Sequence, residues 1–305
     1  MNDPHTNPQL VDVELGSSCT VLLGSDNGKY PDANGLLIRG SQRTALIDPA
    51  LGVAARRDRL PAVDLVLLSH CHEDHIPGLP HFPDAECWVH QADRYGLESL
   101  DRLLDLFGTE EPRRSELARI CVEKFNYRPR PDALAFVDGH AWDLGGVTVT
   151  AIHAPGHTAG HCFFRVEPDE VLFLGDVDLS SFGPFYGDVG SNLEAFERSI
   201  DMVRQMEARH YVSSHHKGIV DPSTFSELIE KYAKVISTRD QRLLAFLDEP
   251  RSLDDIVAHR FVYRPHDDVP GIDWVERVSM GLHLDRLERN GRIRRCQNGR
   301  YVVSR

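Results

Sequence analysis

The stretch SHCHEDHIPG, Ser69 to Gly78, packs three histidines and an aspartate into the segment from His70 to His75. It follows the apolar run VDLVLL (63–68), which reads as a buried strand. On an extended segment His70 and His72, two residues apart, point the same way. Asp74 and His75 follow where the chain turns into a helix, so one short segment offers ligands to two adjacent sites. Further ligand-type residues close later strands: His157 in APGHTAGH, Asp176 at the end of VLFLGD, and His215 and His216 at the end of YVSSHH. A lone histidine at a strand end is ordinarily a hydrogen-bonded structural residue. Several convergent imidazoles differ, because they repel one another when protonated and a cation resolves the conflict. Imidazole and carboxylate ligands suit zinc, iron or manganese, and no thiolate is needed. Cys71 alternates with the ligand histidines and is expected to face away as a buried thiol. Glu73, His153 and His161 read as structural or solvated.

The elements that must position these residues are legible as two series of strands. VDVEL (11–15), TVLLG (20–24), GLLIRG (35–40), TALID (44–48), VDLVLLS (63–69) and CWVH (87–90) form the first. LAFV (134–137), VTVTAIH (147–153), HCFFRV (161–166), EVLFLGD (170–176) and HYVSSHH (210–216) form the second. Residues 52–61 read as a helix ending at Pro61. Apolar spacings of three and four predict a helical insert over about 91–125 and helices over 192–208 and about 223–247. Two strand series with helices outside, each placing polar ligands at strand ends, predict a sandwich of two sheets flanked by helices. Past Glu249-Pro250 the pattern changes to two helical segments and a hairpin turning at Asn298-Gly299. The chain therefore divides into a catalytic domain, 1–248, and a small winged-helix-like domain, 249–305.

The chain has 305 residues, 41% of them apolar, enough for a sizeable core. A formal charge of −13 disfavours a general nucleic-acid or anionic-membrane binder, although a local basic patch can survive it. The start, MNDPHTNPQL, has no basic or apolar export signature, and no apolar run is long enough to span a bilayer. Six cysteines occur without a C-x-x-C pair, which favours buried free thiols. The expectation is a cytoplasmic protein with no membrane association.

His70-Cys71-His72-Glu73-Asp74-His75 resembles the H-x-H-x-D-H motif of the metallo-β-lactamase superfamily. His157 in GHT, Asp176 in GD and a terminal histidine at 215 follow in that family's order, and Asp48 in LIDPA matches its early acidic residue. The resemblance spans roughly residues 15–220 and implies an αββα sandwich of the α/β class. It implies that His70, His72 and His157 bind one divalent ion, that Asp74, His75 and His215 bind another, and that Asp176 bridges both. Zinc is the expected metal, with iron or manganese as alternatives. The net positive site would stabilise an oxyanion, a metal-bridging hydroxide would be the nucleophile, and Asp74 or Asp176 would assist proton transfer. Asp48 would orient a ligand, or else cap a turn. His215 is favoured over His216 as the last ligand.

Fold and metals do not name a substrate. The loop DLSSFGPFYGDVGS (178–191) follows Asp176 directly, and Ser180, Ser181 and Tyr186 are its candidate substrate contacts, with packing as the alternative for the aromatics. The helical insert would wall the pocket or form a homodimer contact. The arginines concentrated at the C-terminus, among them Arg286, Arg289, Arg294, Arg295 and Arg300, would suit a phosphate backbone or form a solvated face. This tail resembles, more weakly, that of glyoxalase-II-like members, including metal-dependent endoribonucleases. The first expectation is a dinuclear hydrolase of a small thioester, lactone or related ester. An endoribonuclease gripping RNA through the tail is the second, and a mononuclear iron oxygenase or a non-catalytic regulator are further alternatives.

Overall fold

The computed structural model describes residues 10–267 and 271–304. The N-terminal stretch in which an export signature was sought lies largely outside the described residues. The first sheet contains, in spatial order, β1 (Asp12–Leu15), β2 (Cys19–Leu22), β3 (Gly35–Arg39), β4 (Thr44–Ile47), β5 (Leu65–Leu67), β6 (Glu86–His90) and β7 (Leu134–Phe136). Pairing is antiparallel through β4 and parallel from β4 to β7. The second sheet holds β8 (Ala141–Asp143), β9 (Thr148–His153), β10 (Cys162–Glu167), β11 (Val171–Phe173), β12 (His210–Val212) and β13 (Ile219–Val220), of which β8 and β13 were not anticipated.

The helices are α1 (Leu51–Ala54), α2 (Leu100–Phe107), α3 (Arg113–Glu123), α4 (Leu193–Val203), α5 (Pro222–Phe246), α6 (Leu253–His259) and α7 (Ile272–Arg289). The stretch expected to be one helix over 52–61 is instead a single turn, α1, followed by a 3₁₀ turn at Arg57–Arg59. A single turn leaves most helical backbone groups without intrahelical partners. Arg56 compensates by donating to the carbonyls of Val11, Leu23 and Gly52.

Strand alternation sorts the side chains into layers. Leu65 and Leu67 of β5 face inward, with Ile38, Ile47, Phe164, Phe173 and Val212, to form the core between the sheets. Their neighbours Val66 and Leu68 face outward onto α2 and α3 through Leu103, Leu106 and Leu117. On the other side Phe163, Leu172 and Tyr211 meet Phe196 of α4 and Phe225, Ile229 and Tyr232 of α5. The result is the expected four-layer αββα sandwich.

The two sheets are stitched at one end by Asp169. Its carboxylate accepts from the backbone amides of Ser17, Ser18 and Cys19 and from the hydroxyls of Ser17 and Ser18. Burial works against its charge, but these donors outweigh it and lower its pKa to about 2. Its stabilisation is thus present above the ordinary carboxylate range and is lost as pH falls through about 2. Asp169→Asn is expected to lose about 2 kcal/mol of stability at neutral pH, measured as a shift in urea midpoint. An unchanged midpoint would show that the stitch carries no net stability.

At the C-terminus α6 and α7 join a hairpin of β14 (Ile293–Arg295) and β15 (Tyr301–Val303). Ile256, Phe261, Leu284, Leu287, Ile293 and Tyr301 form a small core there, together with Leu243 and Leu247 from the end of α5. That core therefore starts inside α5, a little before residue 249. Among the described residues no helix is long and apolar enough to cross a membrane.

Candidate metal centre

The strand ends of both sheets open onto one point. β5 delivers His70, His72, Asp74 and His75. The loop after β9 delivers His157, the loop after β11 delivers Asp176, and the loop after β12 delivers His215. Two ligand groups form: His70, His72, His157 and Asp176, and Asp74, His75 and His215, with the ligand atoms of each group within 4.8 Å of one another. Asp176 faces both. Its Oδ2 lies 3.2 Å from His157 Nε2, and its Oδ1 lies 3.1 Å from His75 Nε2 and 3.4 Å from His215 Nε2. Asp74 completes the second group with Oδ2 3.3 Å from His215 Nε2. His216 is exposed and turned toward Asp178 instead.

The hydrogen-bond partners determine which ring nitrogens carry protons. Carbonyls only accept, so His157 Nδ1, 2.9 Å from the Phe185 carbonyl, must donate. His215 Nδ1 likewise donates to the carbonyl of Gly28 at 2.6 Å. His75 Nδ1 is 2.9 Å from Asp48 Oδ2. Ser69 Oγ donates to that same carboxylate, and therefore accepts from His70 Nδ1 at 2.9 Å. His72 Nε2 lies 3.0 Å from Asp188 Oδ2. In the neutral ring His70, His75, His157 and His215 are thus each left with a bare nitrogen pointing inward, while His72, whose Nε2 faces Asp188 without hydrogen-bond geometry, turns its Nδ1 to the same point. His157 Nε2 sits 3.2 Å from His70 Nε2, lone pair against lone pair in the neutral rings, and 3.0 Å from His72 Nδ1. His75 Nε2 and Asp176 Oδ1 are buried without a hydrogen-bond partner. Such a constellation fits divalent cations, whose charge satisfies every inward atom.

Without a cation, protons do the same work. Burial disfavours charge on His75, yet Asp176, Asp74 and Asp48 outweigh it and raise its pKa well above the ordinary value. His215, buried but facing Asp176, and His72, buried but facing Asp188, are both raised to about 9. His70 is held well below the ordinary value by burial and by His75. Burial disfavours the charge on Asp176, but His215, His75 and His157 outweigh it and hold its carboxyl well below the usual carboxylate range. Glu73 is buried beside Asp74, its pKa is pushed up to about 7 by that burial and by Asp74, and it accepts from Tyr30 Oη at 3.1 Å.

Asp48 is an outer partner rather than a simple turn cap. It accepts from the Ser69 amide, the Ser69 hydroxyl and His75, and so links His70 and His75. Its φ of 51° is left-handed, which Asn tolerates better than Ala. Asp48→Asn is expected to weaken metal binding about 10- to 100-fold without unfolding the chain. Competition with a chromophoric chelator measures it, and wild-type affinity would refute the role.

The loop 178–191 carries partners that sequence reasoning missed. Asp188 and the Phe185 carbonyl contact His72 and His157. Asp188 had only its place in that loop as a signal, and a backbone carbonyl has none. The candidate contact Tyr186 is corrected: it is fully buried, with its hydroxyl bonded to Arg239 and His283, so it packs under the loop. Ser180 Oγ donates to Asp178, and Ser181 is exposed. His161 is a further outer partner, accepting from the Asp176 amide. His153 stacks on His90, apart from either ligand group. Cys71 is buried against the helical insert, as expected, and Phe107 of that insert stacks on His72 with ring centroids 5.4 Å apart. The C-terminal arginines are largely engaged within the chain: Arg286 with Glu197 and Asp240, Arg289 with Glu194, and Arg300 with Asp255.

Residues 31–215, more than half of the chain, match the Metallo-beta-lactamase superfamily domain, and the chain belongs to that superfamily. It is 33% identical over 165 residues to the acyl-coenzyme A thioesterase MBLAC2 of Gallus gallus, a match covering 48% of this chain and 57% of that protein. It is 26% identical over 219 residues to the atrochrysone carboxyl ACP thioesterase of Aspergillus fumigatus, covering 66% of this chain and 57% of that protein. The chain thus spans little more than half the length of these two relatives. A beta-lactamase domain protein from Burkholderia ambifaria shares the fold with a TM-score of 0.70 at 17% identity, over 99% of this chain and 97% of that one.

Proposed function

We propose that the protein is a dinuclear metal-dependent hydrolase of a small thioester. The observation that carries the two-metal reading is the convergence of five imidazoles in two groups around Asp176, whose two oxygens face different groups. The thioester preference is supported by the relatives, two of which are named thioesterases. Zinc is the proposed metal, and iron or manganese suit the same imidazole and carboxylate ligands.

Two divalent ions held there would lower the pKa of a bound water and polarise the acyl carbonyl. The residues supply the rest. His70, His72, His157, His75, His215 and Asp74 would hold the ions, and Ser69, Asp188, Phe185, Asp48 and Gly28 orient five of the rings. Asp176 keeps the two groups in register through its two oxygens. The ligand histidines are buried, while the Asp176 side chain keeps 14% exposure. Asp74 and Asp176, whose carboxylates face the ligand imidazoles, would be the groups to accept a proton from a bound water. Hydrolysis then breaks the carbon–sulfur bond and yields a carboxylate and a thiol.

The test is a turnover assay on metal-replete protein with acyl-coenzyme A and simpler acyl thioesters, lactones and single-stranded RNA in parallel, Asp176→Ala serving as control. Thiol release that disappears in the control is the expected result. RNA cleavage alone would overturn the proposal and make the protein an endoribonuclease.

A further inference from the structure

The two ligand groups differ in what holds their outer nitrogens. In the second group, His75 is held by Asp48 and His215 by the carbonyls of Gly28 and Asp32, all from the N-terminal part of the chain. In the first group His70 is held by Ser69, but His157 is held by the Phe185 carbonyl and His72 Nε2 faces Asp188 at 3.0 Å, both on the loop 178–191. That loop is in turn held from beyond residue 215, where the superfamily match ends.

Arg239 of α5 is the centre of the clamp. It is buried, and its Nη1 donates to the Pro184 carbonyl and to Tyr186 Oη, each at 2.7 Å. Its Nη2 donates to the Phe182 carbonyl at 2.9 Å. From α7, Ser279 Oγ donates to the Tyr186 carbonyl, and His283 Nε2 accepts from Tyr186 Oη. His283 is itself aligned by Asp240 of α5 at 2.6 Å. The loop lies flush on both helices: a Cβ at Gly183 would come within 2.5 Å of Val235, and one at Gly187 within 2.6 Å of Val275. The clamped oxygens of Pro184 and Tyr186 flank Phe185, so they set where its carbonyl points.

We propose that Arg239 is a positioning residue for the His70, His72 and His157 metal group, acting through the loop that carries Phe185 and Asp188. The inference rests on the two-metal reading of the site. The planar guanidinium reaches three oxygens at once with fixed angles, whereas a lysine offers a point charge on a flexible stem. Loss of the fork lets the Phe185 carbonyl drift, and the His157 ring loses the contact that fixes its direction. The second group keeps its own partners throughout.

The experiment is cobalt titration of chelator-stripped full-length protein, followed by visible absorption and calorimetry, for wild type, Arg239→Lys and Arg239→Met. Wild type is expected to take two ions per chain in resolvable steps. In Arg239→Lys one step is expected to weaken about 10-fold or more, with altered d–d bands, while the other stays within about twofold. Circular dichroism of the stripped proteins checks the fold. Should Arg239→Met fail to fold, Arg239→Lys, which keeps the buried charge, decides. Two unchanged steps, or two equally weakened steps, overturn the positioning role. Fewer than two ions in wild type overturns the two-metal reading itself, and the proposal with it.

Discussion

Asp176→Asn is expected to lower thioester turnover by about 10³-fold or more while leaving the fold intact. The two oxygens of this carboxylate serve different ligand groups, 3.2 Å from His157 on one side and 3.1 Å from His75 on the other. An amide keeps the shape but removes the negative charge and turns one ligand oxygen into a donor, which faces bare imidazole nitrogens. Both groups would therefore lose a candidate ligand in one substitution. Circular dichroism and metal analysis separate this from unfolding. Full turnover in a folded variant would remove Asp176 from the machinery and sink the two-metal mechanism.

Removal of metal by a chelator is expected to lower the melting temperature by on the order of 10 °C when the loaded sample holds free metal about a thousandfold above its dissociation constant. The size of that gap depends on pH with a definite sign. In the stripped protein His72 and His215 titrate near 9, each paired with a carboxylate against the cost of burial. Folded values raised above the ordinary 6.5 stabilise the stripped protein fully below pH 6.5, and this contribution is lost as pH rises through about 9. Metal binding requires the same nitrogens without protons, so affinity rises over the same window. The difference in melting temperature between loaded and stripped protein should widen from pH 6.5 to 9. A gap that is constant or narrows would show that these imidazoles are not displaced of protons by the metal.

Much of the site was legible in the chain because its chemistry is local. His70, His72, Asp74 and His75 lie within one strand exit, and the alternation of a strand directs His70 and His72 to one side while Cys71 turns into the core. His157, Asp176 and His215 each follow an apolar strand, where a polar residue has no packing reason to sit. The four layers were legible for the same reason, since the strand series alternate with amphipathic helices. The misses are where side-chain identity is silent. Any residue can offer a carbonyl, so Phe185 and Gly28 left no mark as partners of His157 and His215. Strands as short as β8 and β13 carry no readable period, and the side-chain bonds of Arg56 to the Val11 and Leu23 carbonyls, which tie down the short turn after Leu51, are equally silent in the sequence.

The sequence by itself determined the superfamily, the sandwich and, through the family resemblance, the seven candidate ligands, because their motifs depend on residue type at strand ends. Tertiary structure alone decided what aims them. It buried Tyr186 under the loop, engaged Arg286 and Arg289 with acids of the main body, and brought Arg239 from a distant helix onto three oxygens of the loop behind His157. Contacts of that kind span tens of residues and follow from how layers pack, which no local pattern encodes.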